Sequence, residues 1–396
     1  MAAPTGHTTR VTETPARRSR IPRPRVAVLG AGMIAEVHVR SARAAGADVV
    51  GILASSPERS RAAAHDWQID VGYPDVDAVL NDDRIDVVVH ICTPNHLHVA
   101  QARDALLAGK HVICEKPIAT SAADAQLLAD TAAASGRTAT VPFVYRYHPV
   151  VRELRARVAA GDFGPWQLLH GSYLQDWLLS PGSTSWRVDP VAGGPSRAFA
   201  DIGSHWFDLV EWVAGVRIAE VLAETTTTVT ERPDAGGPSF SGGSLAGSVL
   251  VPVATEDAVG VLGRTTDGVL VSTTVSQVSA GRKNRLWFEL DGADASAVFD
   301  QELPESLWLG YDDRTETVVR DPSSNSREAN RLSLLPAGHA QGYLECFENF
   351  VKDTYAALRG EAPEGLPTVL DGARSAHLVD AVLASADRRV WTTVSG

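Results

Sequence analysis

What most constrains this chain is a regular alternation of apolar runs and helical patterns between residues 25 and 144, opened by a pair of glycines. The run Arg25–Leu29 leads through Gly30-Ala31-Gly32 into a helical pattern that extends to Ala45. A second run, Asp48–Leu53, precedes a helix over Pro57–His65. Asp86–Ile91, a helix near Leu97–Ala108, the strand His111–Cys114, a helix near Ala122–Ser135 and a closing strand Ala139–Val144 continue the series. Strands that alternate with helices join through right-handed crossovers into one parallel sheet. The expected class is α/β, with an N-terminal doubly wound parallel sheet of Rossmann type.

The turn after the first strand, Gly30-x-Gly32-x-x-Ala35, has the spacing that lets backbone approach a pyrophosphate, which then rests on helix N-terminal N–H groups. Gly30, Gly32, Met33 and Ile34 are the expected contacts. At the end of the second strand, an NAD-selective site usually presents an acid to the ribose 2′-hydroxyl. Here the sequence runs Leu53-Ala54-Ser55-Ser56-Pro57-Glu58-Arg59, and the acid expected at the strand end is missing. Ser55, Ser56 and Arg59 either bind a 2′-phosphate, which favours NADP, or cap the next helix, which favours neither coenzyme.

Beyond residue 145 the pattern changes. A helix at Pro149–Ala160 leads to a strand near Gln167–Leu174, a Pro/Gly/Ser-rich loop at 180–197 and a helix over Phe199–Ala214. Residues 218–320 carry period-two runs such as VLAETTTTVT, GVLVSTTVSQV and RLWFELDG, which predict a mostly antiparallel sheet. The glycine-rich stretch Asp234–Gly247 reads as a mobile loop, and helices return at Ala340–Leu358 and Val369–Ser385. The expected division is an arm over 1–24, a dinucleotide-binding domain over 25–146 and a second α/β domain over 147–396. The helix at 369–385 is expected to pack back on the first domain.

Charge and cysteine content narrow the functional classes. Thirty-six Lys+Arg against 48 Asp+Glu give −12, an acidic balance that disfavours a nucleic-acid partner. No apolar run reaches the length of about 18 residues that a membrane span needs. Cys92, Cys114 and Cys346 lack C-x-x-C spacing, so they specify neither a disulfide framework nor a zinc knuckle and suit a cytoplasmic protein. The first 25 residues hold six arginines, four prolines and no aromatic, the composition of a disordered arm. Arg17-Arg18 invites a twin-arginine export reading. The apolar stretch that follows starts only after Ile21-Pro22-Arg23-Pro24-Arg25, however, and reads as a core strand.

Three later segments sharpen the reading. They are Thr93-Pro94-Asn95-His96-Leu97-His98, then Ala108-Gly109-Lys110-His111-Val112 running into Glu115-Lys116-Pro117, then Asp201-Ile202-Gly203-Ser204-His205. In this order, with the glycine loop, the chain resembles the Gfo/Idh/MocA family of NAD(P)-dependent oxidoreductases over roughly residues 25–390. The resemblance implies a Rossmann domain followed by an α/β domain with a large open sheet that makes oligomer contacts, hence a homodimer or homotetramer. It implies sugar, anhydrosugar or cyclitol substrates, and NAD or NADP as coenzyme with a lean to NAD. It places Lys116, Asp201 and His205 in the catalytic group, and Thr93, Pro94, Asn95, His98, Glu115 and Lys116 beside the coenzyme.

The residue types agree with that chemistry. Oxidising an alcohol needs a base for the hydroxyl proton, and a histidine titrates near the working pH. Lys116 follows a parallel strand, at the carboxyl edge where open α/β sheets bind ligands. Asp201, His205 and Asp208 are spaced by four and three, so one helix face is expected to carry all three. His205 is then the base, Lys116 polarises the reacting oxygen, and Asp201 orients the histidine. Gly203 suits close approach of a ring such as nicotinamide. For the substrate, Tyr147, Asp176, Trp177, Trp186, Arg187, Asp189 and His339 offer indole faces for sugar C–H surfaces and charged groups for hydroxyls. Tryptophan and arginine are also enriched at interfaces, which is the competing explanation. His96 and His98 form an H-x-H without a third ligand at a natural spacing, so no metal is expected. The reading is hydride transfer between a secondary hydroxyl of a pyranose-like sugar and a nicotinamide coenzyme. An NAD-retaining glycoside hydrolase of the same family and a non-catalytic sugar- or coenzyme-sensing protein are the alternatives.

Overall fold

The computed structural model describes residues 23–85, 88–234 and 248–396. Residues 1–22 of the expected arm, Asp86 and Val87 of the expected third strand and residues 235–247 of the glycine-rich loop lie outside the described residues. The first sheet comprises β1 (Arg25–Leu29), β2 (Asp48–Leu53), β3 (Val71–Gly72), β4 (Val88–Ile91), β5 (His111–Cys114) and β6 (Ala139–Thr140). Every pairing is parallel, in the order β3-β2-β1-β4-β5-β6. Val26, Val28, Val88 and Ile113 point to one buried cluster and Ala27, Leu29, Val89 and Val112 to another, as a sheet covered on both faces requires. The order reverses at β1, so a crevice opens above the carboxyl ends of β1 and β4, with β5 beside it. β3 is too short to register as an apolar run. The strand expected over Ala139–Val144 stops at Thr140, because Pro142 has no N–H for the ladder, and Val144–Tyr147 forms a 3₁₀ turn instead.

The second domain is built on β7 (Trp166–Leu174), β8 (Ile218–Thr226), a short ribbon of β9 (Glu231–Pro233) and β10 (Leu250–Pro252), β11 (Ala258–Thr265), β12 (Leu270–Ser276), β13 (Arg285–Gly292), β14 (Ser296–Asp300), β15 (Ser306–Gly310), β16 (Thr315–Val319) and β17 (Thr392–Thr393). Nine of these form one sheet in the order β16-β15-β14-β13-β7-β12-β11-β8-β17. Only β7 and β12 pair in parallel; the other pairs are antiparallel. Alternation sets Leu169, Tyr173, Val271, Val275, Leu286 and Phe288 on the inner face against Trp206, Phe207 and Val210 of the helix Ser204–Ala214. The Trp206 indole N–H, fully buried, donates to Trp287 O at 2.9 Å. On the opposite face Leu262, Leu270, Trp308 and Val319 remain exposed.

The last two long helices return to the first domain. Tyr343–Ala357 seats Cys346, Phe347, Phe350 and Tyr355 in the same cluster as Ala35 and Val39 of the helix Met33–Ala44. Val369–Arg388 begins with a capping box of Thr368 and Asp371. Its Val369, Ala373 and Ala376 join the first-domain core, while Leu378, Val379 and Val382 join the second. The helix thus packs back on the first domain and ties the two cores together. Among the described residues no helix is long and apolar enough to cross a membrane.

Candidate active site

The glycine loop has the geometry its spacing predicts. Gly30 has φ +115°, and a Cβ there would lie 2.4 Å from Cys92 O at the end of β4, so no other residue fits. A Cβ on Gly32 would meet nothing within 4 Å. Gly32 is the N-cap of Met33–Ala44 and supplies no side-chain cap, so the first-turn N–H groups at the positive end of the helix are left without a cap from it. Met33 is largely exposed beside them. That combination fits a dinucleotide pyrophosphate. At the ribose end, Ser56 accepts from Arg59 N as the N-cap of the next helix, and Ser55 Oγ accepts from Arg59 Nη1 at 2.9 Å. Ser56 is therefore used by the cap, while Ser55 and Arg59 stay exposed at the crevice.

The loop after β4 is held by its own side chains. Thr93 Oγ1 donates to Gln101 at 2.7 Å and Asn95 Nδ2 to Gly193 O at 2.8 Å, the latter a tie to the second domain. His98 is buried with its two ring nitrogens 2.8 Å from the carbonyls of Thr93 and Pro117. It pins the loop after β4 to the loop after β5, next to the cis Lys116–Pro117 bond. His96 instead lies on the surface against Ala192 O, so the H-x-H pair does not converge.

Glu115 anchors the next stretch. One carboxylate oxygen accepts from Lys116 N at 3.0 Å, the other from His38 Nε2 at 3.1 Å. His38 Nδ1 faces His90 Nδ1 at 2.9 Å, and His90 Nε2 faces the Tyr355 hydroxyl at 3.0 Å. Burial and the neighbouring His38 push His90 well below the ordinary histidine range, so it is neutral. These contacts join Tyr355, His90, His38 and the Glu115 carboxylate in one continuous line. This buried line fixes the backbone that carries Lys116.

Lys116 Nζ donates to Asp201 Oδ1 at 2.7 Å and to Asp201 O at 2.9 Å. The other carboxylate oxygen accepts from Gln277 Nε2 at 2.8 Å, and Arg187 Nε stands 3.5 Å from Oδ1. Burial alone would raise the Asp201 carboxyl, but the Lys116 ammonium and Arg187 guanidinium outweigh it and hold the group well below the usual range. His205 is buried among Phe143, Tyr145 and Tyr173, with ring centroids 5.6, 5.1 and 6.4 Å away. Burial first and the Lys116 charge second push it well below the usual histidine range, with Asp201 opposing.

Several expectations need correcting. Asp201 makes no hydrogen bond to His205, whose Nδ1 has no partner among the described residues. The cause is local: Phe199–Gly203 forms a π turn before the α-helix begins, so the four-residue spacing no longer stacks the two side chains. Asp201 therefore hydrogen-bonds Lys116 and reaches the histidine only through its charge. Asp208, expected on the same face, forms a buried ion pair with Arg146, which also reaches Asp371. Gly203 does not leave room for a ring, since a Cβ there would strike Phe199 at 2.6 Å. The 3₁₀ turn after Phe143 directs Tyr145, not Tyr147, to His205; Tyr147 is fully buried between Phe350 and Arg152.

The other expected substrate residues divide. Trp186 and Arg187 stand together, the guanidinium 4.4 Å from the indole centroid and adjoining Asp201. Asp176 is bound by Lys283 Nζ at 2.6 Å and Gly281 N at 3.1 Å, and Trp177 Nε1 donates to Gln175. Asp189 is exposed and caps the short helix Pro190–Gly193, while His339 is exposed in the loop before Tyr343. Neither belongs to the cluster around Lys116. Sequence reasoning missed Gln277, Tyr145, Tyr173 and Asn284. The last three share hydrogen bonds, with Tyr145 Oη 2.6 Å from Tyr173 Oη and Tyr173 donating to Asn284 at 2.8 Å. Gln277 follows β12, and its nearness to Asp201 depends on β12 packing against the Phe199–Gly203 turn, which no local pattern announces.

A Rossmann crevice with a lysine–aspartate pair and a buried neutral histidine at its mouth defines a dinucleotide-dependent oxidoreductase. Comparison with known proteins agrees. Residues 24–143 match the oxidoreductase family with an NAD-binding Rossmann fold, and residues 151–298 match the GFO/IDH/MocA C-terminal domain. The chain is 31% identical over 353 residues to levoglucosan dehydrogenase of Pseudarthrobacter phenanthrenivorans, covering 87% of this chain and 88% of that protein. A levoglucosan dehydrogenase solved in complex with NADH and L-sorbose superposes with a TM-score of 0.85 at 28% identity, over 95% of this chain and all of that one. An inositol dehydrogenase homologue from Azotobacter vinelandii, complexed with NAD+, gives 0.83 at 26% identity, over 94% of this chain and 98% of that one. The chain belongs to the Gfo/Idh/MocA oxidoreductase family.

Proposed function

We propose that this protein transfers a hydride between a secondary hydroxyl of a pyranose-like sugar, anhydrosugar or cyclitol and a nicotinamide coenzyme. The observation that carries this reading is the Lys116–Asp201 pair beside a buried, neutral His205 at the carboxyl edge of the sheet that bears the glycine loop. The bound coenzyme supplies the hydride acceptor. His205 takes the hydroxyl proton. Two of the three Lys116 donors are committed to Asp201, leaving one for the reacting oxygen. Gln277 and Arg187 keep Asp201 in place, and Trp186 with Arg187 offers a face and a charge for the sugar ring. The names of the relatives support the sugar class. The test is a panel of levoglucosan, pyranoses and inositols with NAD and NADP supplied separately, read as reduced nicotinamide. Saturable turnover of one class is expected; coenzyme binding without turnover of any polyol would leave the sensing alternative.

For the coenzyme, the family description and the NADH-bound neighbours favour NAD, whereas the strand end after β2 offers no carboxylate to repel a 2′-phosphate. Ser55→Asp is expected to penalise NADP use selectively, because the new carboxylate accepts from a 2′-hydroxyl and repels a phosphate. Unchanged kcat/KM for NADP would remove Ser55 from the ribose.

The outer face of the nine-stranded sheet, with Leu262, Leu270, Trp308 and Val319 exposed, supports a homodimer or a homotetramer built on that face. Light scattering at micromolar protein is expected to give at least twice the chain mass, and a monomeric mass would overturn this assembly.

A further inference from the structure

The outer face of the same sheet carries a group of side chains that the hydride-transfer reading does not use. Glu289 and Asp291 lie two apart on β13, so both project to one face, and His170 on β7 is the register partner of Glu289. His170 Nε2 stands 3.6 Å from Glu289 Oε2 and 3.5 Å from Asp291 Oδ2, and the three facing atoms all lie within 4.8 Å of one another. The two nitrogen–oxygen distances are too long for N–H···O hydrogen bonds, which run to about 3.2 Å. They match the edge of a tetrahedron, about 3.4 Å, around an ion with bonds of about 2.1 Å to nitrogen and oxygen. The carboxylate of Asp291 is further prepared, since its other oxygen, Oδ1, accepts from Ser296 Oγ at 2.7 Å and leaves Oδ2 directed at the histidine. Such an outer hydrogen bond is what orients a ligating carboxylate. All three residues are partly buried in the sheet face, between the Trp287 ring on one side and the β14 strand on the other.

We infer that His170, Glu289 and Asp291 form a binding site for a divalent transition-metal ion of the zinc class on the outer face of the second-domain sheet. One imidazole and two carboxylates suit Zn²⁺ or Co²⁺; Mg²⁺ and Ca²⁺ prefer all-oxygen shells. Three protein ligands leave a fourth position, directed away from the sheet, for water or, in the assembly proposed on this same face, for a group of a second copy of the chain. The site is separate from the crevice, as His170 and the β13 acids stand on the sheet face opposite Tyr173 and Phe288. Sequence reasoning set metal aside because it considered only His96 and His98. A histidine and an E-x-D pair more than a hundred residues apart become neighbours only through the β7–β13 pairing.

The experiment uses untagged, EDTA-treated protein titrated with ZnCl₂ by calorimetry, with CoCl₂ absorption as a second readout. About one Zn²⁺ per chain is expected, with the visible Co²⁺ spectrum of a four-coordinate site. His170→Ala and Asp291→Asn should each weaken binding about 10²-fold or more, and Ser296→Ala about tenfold, the scale of an outer-shell loss. Mg²⁺ should not compete. Melting curves of the variants without metal check that they fold, and a fourth variant, Glu289→Gln, preserves side-chain volume if either of the others does not. Absence of Zn²⁺ binding, or equal binding by the parent and the folded variants, would overturn the site and leave His170 as a polar neighbour of two carboxylates.

Discussion

Replacing His205 with Asn is expected to preserve coenzyme binding and lower turnover about 10²–10⁴-fold, the span of a lost general base. The side chain is buried at the start of the helix Ser204–Ala214, away from the glycine loop, and asparagine keeps a polar group of similar bulk among Phe143, Tyr145 and Tyr173. The pH profile gives a second check. Burial and the Lys116 charge lower the pKa of His205, so its protonated form fills only well below pH 6.5. Oxidation should therefore rise through an acid limb below pH 6.5 and show no His205-dependent change near neutrality. A limb centred above 6.5 would contradict that environment. Near-parental turnover in a folded His205→Asn would move the base elsewhere, and Tyr145, stacked edge-on at 5.1 Å, is the next group in place.

The parts of this molecule that could be read from sequence are those in which the chemistry and the fold share a short stretch of chain. The glycine turn, the Glu115-Lys116-Pro117 segment and the Asp201–His205 segment each sit at the end of one strand or the start of one helix, so spacing picked out the first and the resemblance to the family singled out the other two. What failed did so for two physical reasons. Local backbone form changed the direction of side chains: Pro142 ends β6, the chain turns through Val144–Tyr147, and Tyr145 takes the place expected of Tyr147. The π turn at Phe199–Gly203 likewise separates Asp201 from His205, although four residues apart normally means one face. The second reason is long-range pairing. Gln277 reaches Asp201, and His38 reaches both His90 and Glu115, through sheet order and helix packing that no window of sequence contains. A histidine inside the apolar run Val88–Ile91 was the one available signal, since a buried polar group must find a partner.

Lys116→Met should lower turnover about 10²–10³-fold, the cost of losing one donor aimed at a developing oxyanion. It should also destabilise the fold, because the Lys116–Asp201 pair is largely buried, with side-chain exposures of 14% and 16%. Removing one member of a buried pair typically costs about 3–5 kcal/mol, and here Gln277 and Arg187 remain to offset part of it. Adding Asp201→Asn removes the stranded charge, so the double variant should recover much of the melting temperature without recovering turnover. That split separates the role of the lysine in catalysis from its role in stability. A third readout distinguishes an electrostatic partner of the base from a remote structural residue. The Lys116 charge lowers the pKa of His205 and the Asp201 charge raises it. The residual activity of Lys116→Met should therefore show its acid limb at higher pH than the parent, and the double variant should move the limb back down. An unchanged limb in Lys116→Met would mean that the ammonium does not act on His205, and would leave the lysine only its contact with Asp201.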